Sequence, residues 1–141
     1  MRVAGPACVV LLALGCAPVG DPGYGVIFRN DSDRQLVIRG DTRPGIDEVR
    51  AWLLPPHAAG WVLYTIGDSR VAPPIDYSIV DATSCRETVV QHVDFSLAPD
   101  PGWTEFLITV SPDGGSRLDA SPSAAGDITG DLAATDLCPA K

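Results

Sequence analysis

Histidine, cysteine and carboxylate are the side chains through which a chain of this composition would do chemistry. The 141 residues hold 2 His, 4 Cys and 18 Asp+Glu. The two histidines stand apart: His57 follows Pro55-Pro56 in an expected loop, and His92 falls within a β-prone run. A zinc site draws on Cys and His at short, regular spacing, and neither histidine has such neighbours. A blue-copper site needs two His, a Cys and usually a Met, and Met1, at the far N-terminus, is the one methionine. No metal and no cofactor are therefore expected. Nor is there a Gly-x-Ser-x-Gly elbow, a phosphate loop or a zinc-protease helix, so no residue is assigned a catalytic role and the chain is not read as an enzyme. The carboxylates gather in turn clusters such as Asn30-Asp31-Ser32-Asp33, where short side chains bond the nearby backbone. Asp127, Asp131 and Asp136 lack the alternating ligands and closing Glu of a calcium loop, and are read as solubilising the C-terminal stretch. Arg39-Gly40-Asp41 spells the tripeptide used by integrin ligands. So short a match in an Arg-, Gly- and Asp-rich chain reads as a turn after the second strand.

Where any of this acts is set by Met1 to Cys16. Arg2 supplies a basic start, Val9 to Leu14 an apolar run, and Gly15-Cys16 a small-residue junction, which is the pattern of an export signal. The run is too short to span a bilayer, which takes about 20 apolar residues. Leu12-Ala13-Leu14-Gly15-Cys16 resembles the lipobox of bacterial lipoproteins, with Ala13 and Leu14 in swapped order relative to its commonest form. The resemblance implies cleavage between Gly15 and Cys16, diacylglycerol on the Cys16 thiol and often a further acyl chain on the new amine. Two chains hold a protein firmly to a membrane where one does not, each buried CH₂ contributing about 0.8 kcal/mol. The mature chain is thus expected on the extracytoplasmic face of a cell membrane, anchored by lipid.

Charge and cysteine count refine this. The formal charge is −8, and loss of Arg2 with the signal makes it one unit more negative. Such a chain repels phosphate backbones, so nucleic acid is not an expected partner. It also lacks a polybasic patch for anionic lipid, leaving the acyl anchor alone to hold the membrane. Cys8 lies in the signal and Cys16 takes the lipid, which leaves Cys85 and Cys138 as an even pair in an oxidising compartment. They are read as one disulfide.

The elements that carry these residues are short and β-prone. Ala17 to Gly25, rich in Pro and Gly, is a tether reaching about 30 Å at most. Strands are expected over Tyr24–Phe28, Gln35–Arg39, Glu48–Leu54, Trp61–Ile66, Asp76–Asp81, Glu87–Phe95 and Glu105–Val110, with a short returning edge at Arg117-Leu118. The first two read as a hairpin across the Asn30–Asp33 turn. Leu36 and Ile38 share one face against Val37 and Arg39, and Val49 is placed inward beside Trp52 and Leu53. Ser111-Pro112-Asp113-Gly114 is a hairpin signal. From Ala120 the chain turns to Ser, Pro, Ala, Gly and Asp, an irregular tail pinned back by Cys138, with a short helix around Asp131 to Leu137 as an option.

Strands at this spacing, with turn chemistry between them, predict an all-β fold: a small antiparallel sandwich, immunoglobulin-like or related. Residues 1–15 form the signal, 16–23 the lipidated tether, 24–119 the sandwich and 120–141 the tail. Trp52 and Trp61 are expected to fill the core or its rim. Trp103, after Pro-Asp-Pro-Gly in a loop, is the candidate for partner contact. The expected function is a non-catalytic surface lipoprotein making protein or envelope contacts, with a small-ligand or ion-binding module as the alternative.

Overall fold

The computed structural model describes residues 23–43, 46–66, 73–97, 103–121, 128 and 130–139. Two four-stranded sheets pack face to face. One has the order β4-β1-β7-β8, built from Ala59–Ile66, Gly23–Asn30, Trp103–Val110 and Ser116–Ser121. The other has the order β3-β2-β5-β6, built from Ile46–Leu54, Leu36–Arg43, Ile75–Asp81 and Glu87–Val93. No α-helix occurs among the described residues. All neighbours are antiparallel except β1 and β7, which run parallel from Gly23↔Trp103 to Asn30↔Val110. The two-layer sandwich is the expected fold; β1 starts earlier, within the expected tether, β2 and β8 run longer than expected, and β6 ends two residues sooner.

Alternation also builds the core. Tyr24, Val26 and Phe28 of β1 and Phe106, Ile108 and Val110 of β7 meet Leu36 and Ile38 of β2, Trp52 and Leu54 of β3, and Ile75, Tyr77 and Ile79 of β5. Phe95 stacks on Tyr24 with ring centroids 4.1 Å apart and meets Phe106 edge-on at 5.6 Å. Phe95 sits in a 3₁₀ turn, Phe95–Leu97, and not in β6 as expected. The Asp94 carboxylate accepts from the Ser96 amide (3.0 Å) and hydroxyl (2.6 Å), and this local turn ends the strand.

Three expectations are corrected. β1 and β2 are not a hairpin; they lie in opposite sheets. The buried Asn30 side chain explains this, since its amide donates across the sandwich to the Pro55 carbonyl (3.1 Å) as well as to Arg34 (2.7 Å). Its oxygen accepts from the Ser32 amide and hydroxyl, so the turn is tied to the β3–β4 connection and swings the chain over. Val49 points outward and is 55% exposed, because inward parity on β3 belongs to Trp52 and Leu54. Leu53 lies on the outer face of its sheet with Val37 and Val80. Finally, the tail has no helix over the described residues 130–139.

The tail is instead a strap. Ile128 packs on the outer face of the first sheet with Ile27, Leu107 and Trp61. The Trp61 amide then donates to Gly130 (3.0 Å) and the Leu132 amide to Trp61 (2.8 Å), bonding the strap to the edge strand β4. Leu132 tucks against the core. The Leu53 amide donates to Ala133 (2.8 Å) and the Thr135 amide to Ala51 (2.9 Å), bonding it to the edge strand β3. Cys138 ends on the outer face of the second sheet, and its disulfide to Cys85 spans 5.2 Å between Cα atoms. Open strand edges template unwanted pairing, and here a backbone segment covers two of the four. On the opposite side β8 and β6 approach one another, with the Ser116 hydroxyl donating to Gln91 Oε1 (3.0 Å).

Candidate functional site

The expected disulfide is present. Its exposed half, Cys85, closes the β5–β6 turn, where its amide donates to Asp81 (2.9 Å) and Asp81 in turn donates to Arg86 (3.0 Å). The Asp81 side chain accepts from the Thr83 and Ser84 amides, and bonding from Ser84 above all holds its carboxyl below the usual carboxylate range. Cys85 and Cys138 both sit at positive φ, 54° and 51°. That region is uncommon for a residue with a side chain, so the clasp is held in an unfavourable backbone conformation at both ends.

The other expected residues divide as follows. Cys16 and the lipobox lie outside the described residues. Trp103 opens β7 and is not in a loop, paired with Gly23, and its side chain lies outside the described residues. Arg39-Gly40-Asp41 is not a turn tip but lies inside β2, opposite Ala51, Arg50 and Val49. Gly40 is required there: a Cβ would fall 2.3 Å from the buried Tyr77 ring. His57 and His92 are far apart and exposed, each against its own carboxylate, His57 Nε2 to Asp33 at 2.8 Å and His92 Nδ1 to Asp76 at 2.6 Å. Among the described residues no three His, Cys, Asp or Glu side chains converge as metal ligands.

The arrangement with the most chemical content was not singled out from the sequence. A groove of about 690 Å³ lies where the strap crosses the β2–β3 side of the second sheet, lined by Arg39, Val49, Arg50, Ala51, Ala134, Thr135, Asp136 and Pro139. Strand register sets Arg39 opposite Ala51 on the outer face, while Arg50, opposite Gly40, has the inward parity of Trp52 at the sheet's edge. The strap supplies the facing wall. Arg39 Nε is buried and has no hydrogen-bond partner. An unmet buried donor is rare in native structures, because it forfeits its hydration without replacement. A second, smaller groove of about 390 Å³ lies beside the disulfide turn, where Arg34, Arg86, Asp81, Glu87 and Asp113 mix both signs of charge. The first groove combines Arg39, Arg50 and Asp136 with small apolar groups; the second is lined mainly by charged and polar groups. Comparison with known proteins finds no family model that matches this chain and no matching curated protein.

Proposed function

We propose that this chain is a non-catalytic, lipid-anchored domain on the extracytoplasmic face of a cell membrane, where it makes protein or envelope contacts. The observation that carries the proposal is the Cys85–Cys138 disulfide clasping the strap. Such bonds form and persist in oxidising compartments, which is where the Met1–Cys16 export signal would deliver the chain. The lipobox resemblance adds the anchor, and a domain held on a surface meets membrane partners at raised effective concentration. A sandwich whose strand edges are partly strapped leaves loops and grooves to make contacts.

The alternative, a small-ligand module, is favoured by one observation: the concave groove between the strap and the β2–β3 side of the second sheet. Both readings make the chain a binding domain. Intact mass of the protein from its native membrane fraction, with and without reductant, tests the first. The expected mass begins at Cys16, carries acyl chains and gains two hydrogens on reduction. A mass with no acyl chains, starting elsewhere, overturns the anchor.

A further inference from the structure

We infer that β8 is a dimerisation edge, on which a second copy of this chain adds its own β8 in antiparallel register about Leu118. The other three strand edges are covered or interrupted. The strap bonds to β3 and β4. β6 carries a bulge, since Ile79 faces Val89, Val80 faces Glu87, and Thr88 between them has no opposite residue. β8 has neither device. Its pairing with β7 runs without a shift from Val110↔Ser116 to Glu105↔Ser121, and it holds no Pro and no Lys. The turn before it defines the free edge. The Ser111 amide donates to the Gly115 carbonyl (2.9 Å) and closes the β7–β8 hairpin. Bonding alternates along an antiparallel pair, so Arg117 and Asp119 turn amide and carbonyl toward β7, while Ser116, Leu118 and Ala120 turn theirs outward. Among the described residues, no backbone group outside the sheet bonds to those three.

Side chains choose the occupant and the register. Arg117 and Asp119 lie opposite Thr109 and Leu107 on the outer face of the sheet, with side chains 74% and 44% exposed. Arg117 Nε donates to the Asp119 carboxylate at 2.9 Å. When Leu118 stands opposite Leu118 of the second copy, each Arg117 faces the other copy's Asp119, twice over. These charges occupy the non-hydrogen-bonded positions, where opposed side chains come closest. The outward backbone groups match in the same register: Leu118 meets Leu118 and Ser116 meets Ala120, giving about six main-chain bonds in all. Leu118, half-buried against the core, is covered further by its counterpart. Moving the axis one residue either way sets Arg117 against Arg117 or Asp119 against Asp119, and like charges directly opposite are destabilising. The run Arg117-Leu118-Asp119 is thus self-complementary under a twofold axis, which is what an isologous dimer requires.

This deepens the reading of the chain as a contact-making domain by naming one partner, and it is independent of the lipid anchor. Two chains of formal charge −8 repel at a distance. At about 0.15 M salt that repulsion is screened beyond about 8 Å, and the contacts across the axis persist. The full-length protein in detergent is followed by sedimentation velocity at that salt. A reversible monomer–dimer equilibrium is expected, with a Kd on the order of 50 μM for so small an interface. Arg117→Asp and Asp119→Arg each set like charges across the axis, and each alone should raise Kd at least about tenfold. An equimolar mixture of the two variants should form a heterodimer within about threefold of the parent Kd, because acid then faces base on both sides of the axis. The double reversal, Arg117→Asp with Asp119→Arg, should restore the homodimer in the same way, and carries the test should a single variant fail to fold. A parent that stays monomeric at about 500 μM, single variants that dimerise as tightly as the parent, or a mixture and a double reversal that both fail to recover association overturns the assignment. An acylated protein that stays monomeric retains the anchor reading and loses this one.

Discussion

The strap and its clasp make a quantitative prediction. Opening the Cys85–Cys138 bond frees a loop with a sequence separation of 53 residues. In the chain-entropy model, restoring that freedom to the unfolded state costs about 4 kcal/mol of stability. At roughly 4 °C per kcal/mol for a domain of this size, Tm should fall by about 15 °C in a Cys85→Ser, Cys138→Ser double variant. The backbone at Cys85 sharpens the test. Its φ of 54° is held by the turn hydrogen bonds to Asp81 and around Arg86, which remain when the sulfur is gone. Serine keeps the cost of the left-handed conformation and glycine does not, a difference of about 1 kcal/mol. Cys85→Gly with Cys138→Ser should thus melt about 4 °C above the double serine variant. Thermal unfolding by circular dichroism reads both numbers. Hydrogen exchange adds a local readout, because the Leu53 and Trp61 amides donate to the strap and should lose protection before the amides of β1. A double serine variant as stable as the parent, a glycine variant no better than serine, or Leu53 and Trp61 amides as protected as β1 would refute the reasoning.

Four further outcomes follow from the core and the turns. Asn30→Ala leaves the Pro55 and Arg34 carbonyls and the Ser32 donors without their partner, and should lower stability by about 3 kcal/mol in urea titration. Gly25→Ala would put a Cβ 2.0 Å from the Trp61 ring, so the ring must leave the outer face of its sheet. A loss of about 2 kcal/mol with a red-shifted tryptophan emission is expected. Burial pushes the Tyr24 hydroxyl up to about 12. Because the unfolded tyrosine ionises near 10, the stability it contributes is intact below that pH and is lost as pH rises toward 12, which Tyr24→Phe should abolish in alkaline unfolding curves. At the acid end Asp81 and Asp94 lie below the ordinary carboxylate range through bonds from Ser84 and Ser96. Their contribution is present above about pH 4 and lost as pH falls through their lowered values, so Asp81→Asn should blunt the acid transition.

Which features were legible in the sequence follows from the range of the forces involved. Alternation on β2 placed Leu36 and Ile38 in the core against Val37 outside it, since that signal is local to one strand. The crossing from β1 to β2 depends on the Asn30 amide reaching the carbonyl of Pro55, a partner far along the chain that no local pattern announces. The strap was read as irregular for a related reason. Its residues carry no alternation because it is held by main-chain bonds to Ala51, Leu53 and Trp61, which any side chain permits. The groove needed both: Arg39 meets Ala51 only through the β2–β3 register, and the facing wall comes only through the strap. The outward parity of Arg39 with Val37 was visible, and it was the one hint that a cation shared a face with apolar residues. Val49 went wrong because β3 was placed by hydrophobicity alone, whereas strict parity from Trp52 and Leu54 turns it out.

The order of the chain gives the strap a consequence in time. Polypeptides are made from the N-terminus, so β3 and β4 leave the ribosome before residues 130–135 are there to cover them. Throughout that interval two strand edges stand open to any neighbouring chain, and the Cys85 thiol waits for a partner 53 residues behind it. Open strand edges favour unwanted pairing, and that exposure ends only when the strap and Cys138 arrive. The yield of folded protein should therefore respond more steeply to the supply of disulfide catalysts than the stability of the finished domain would suggest.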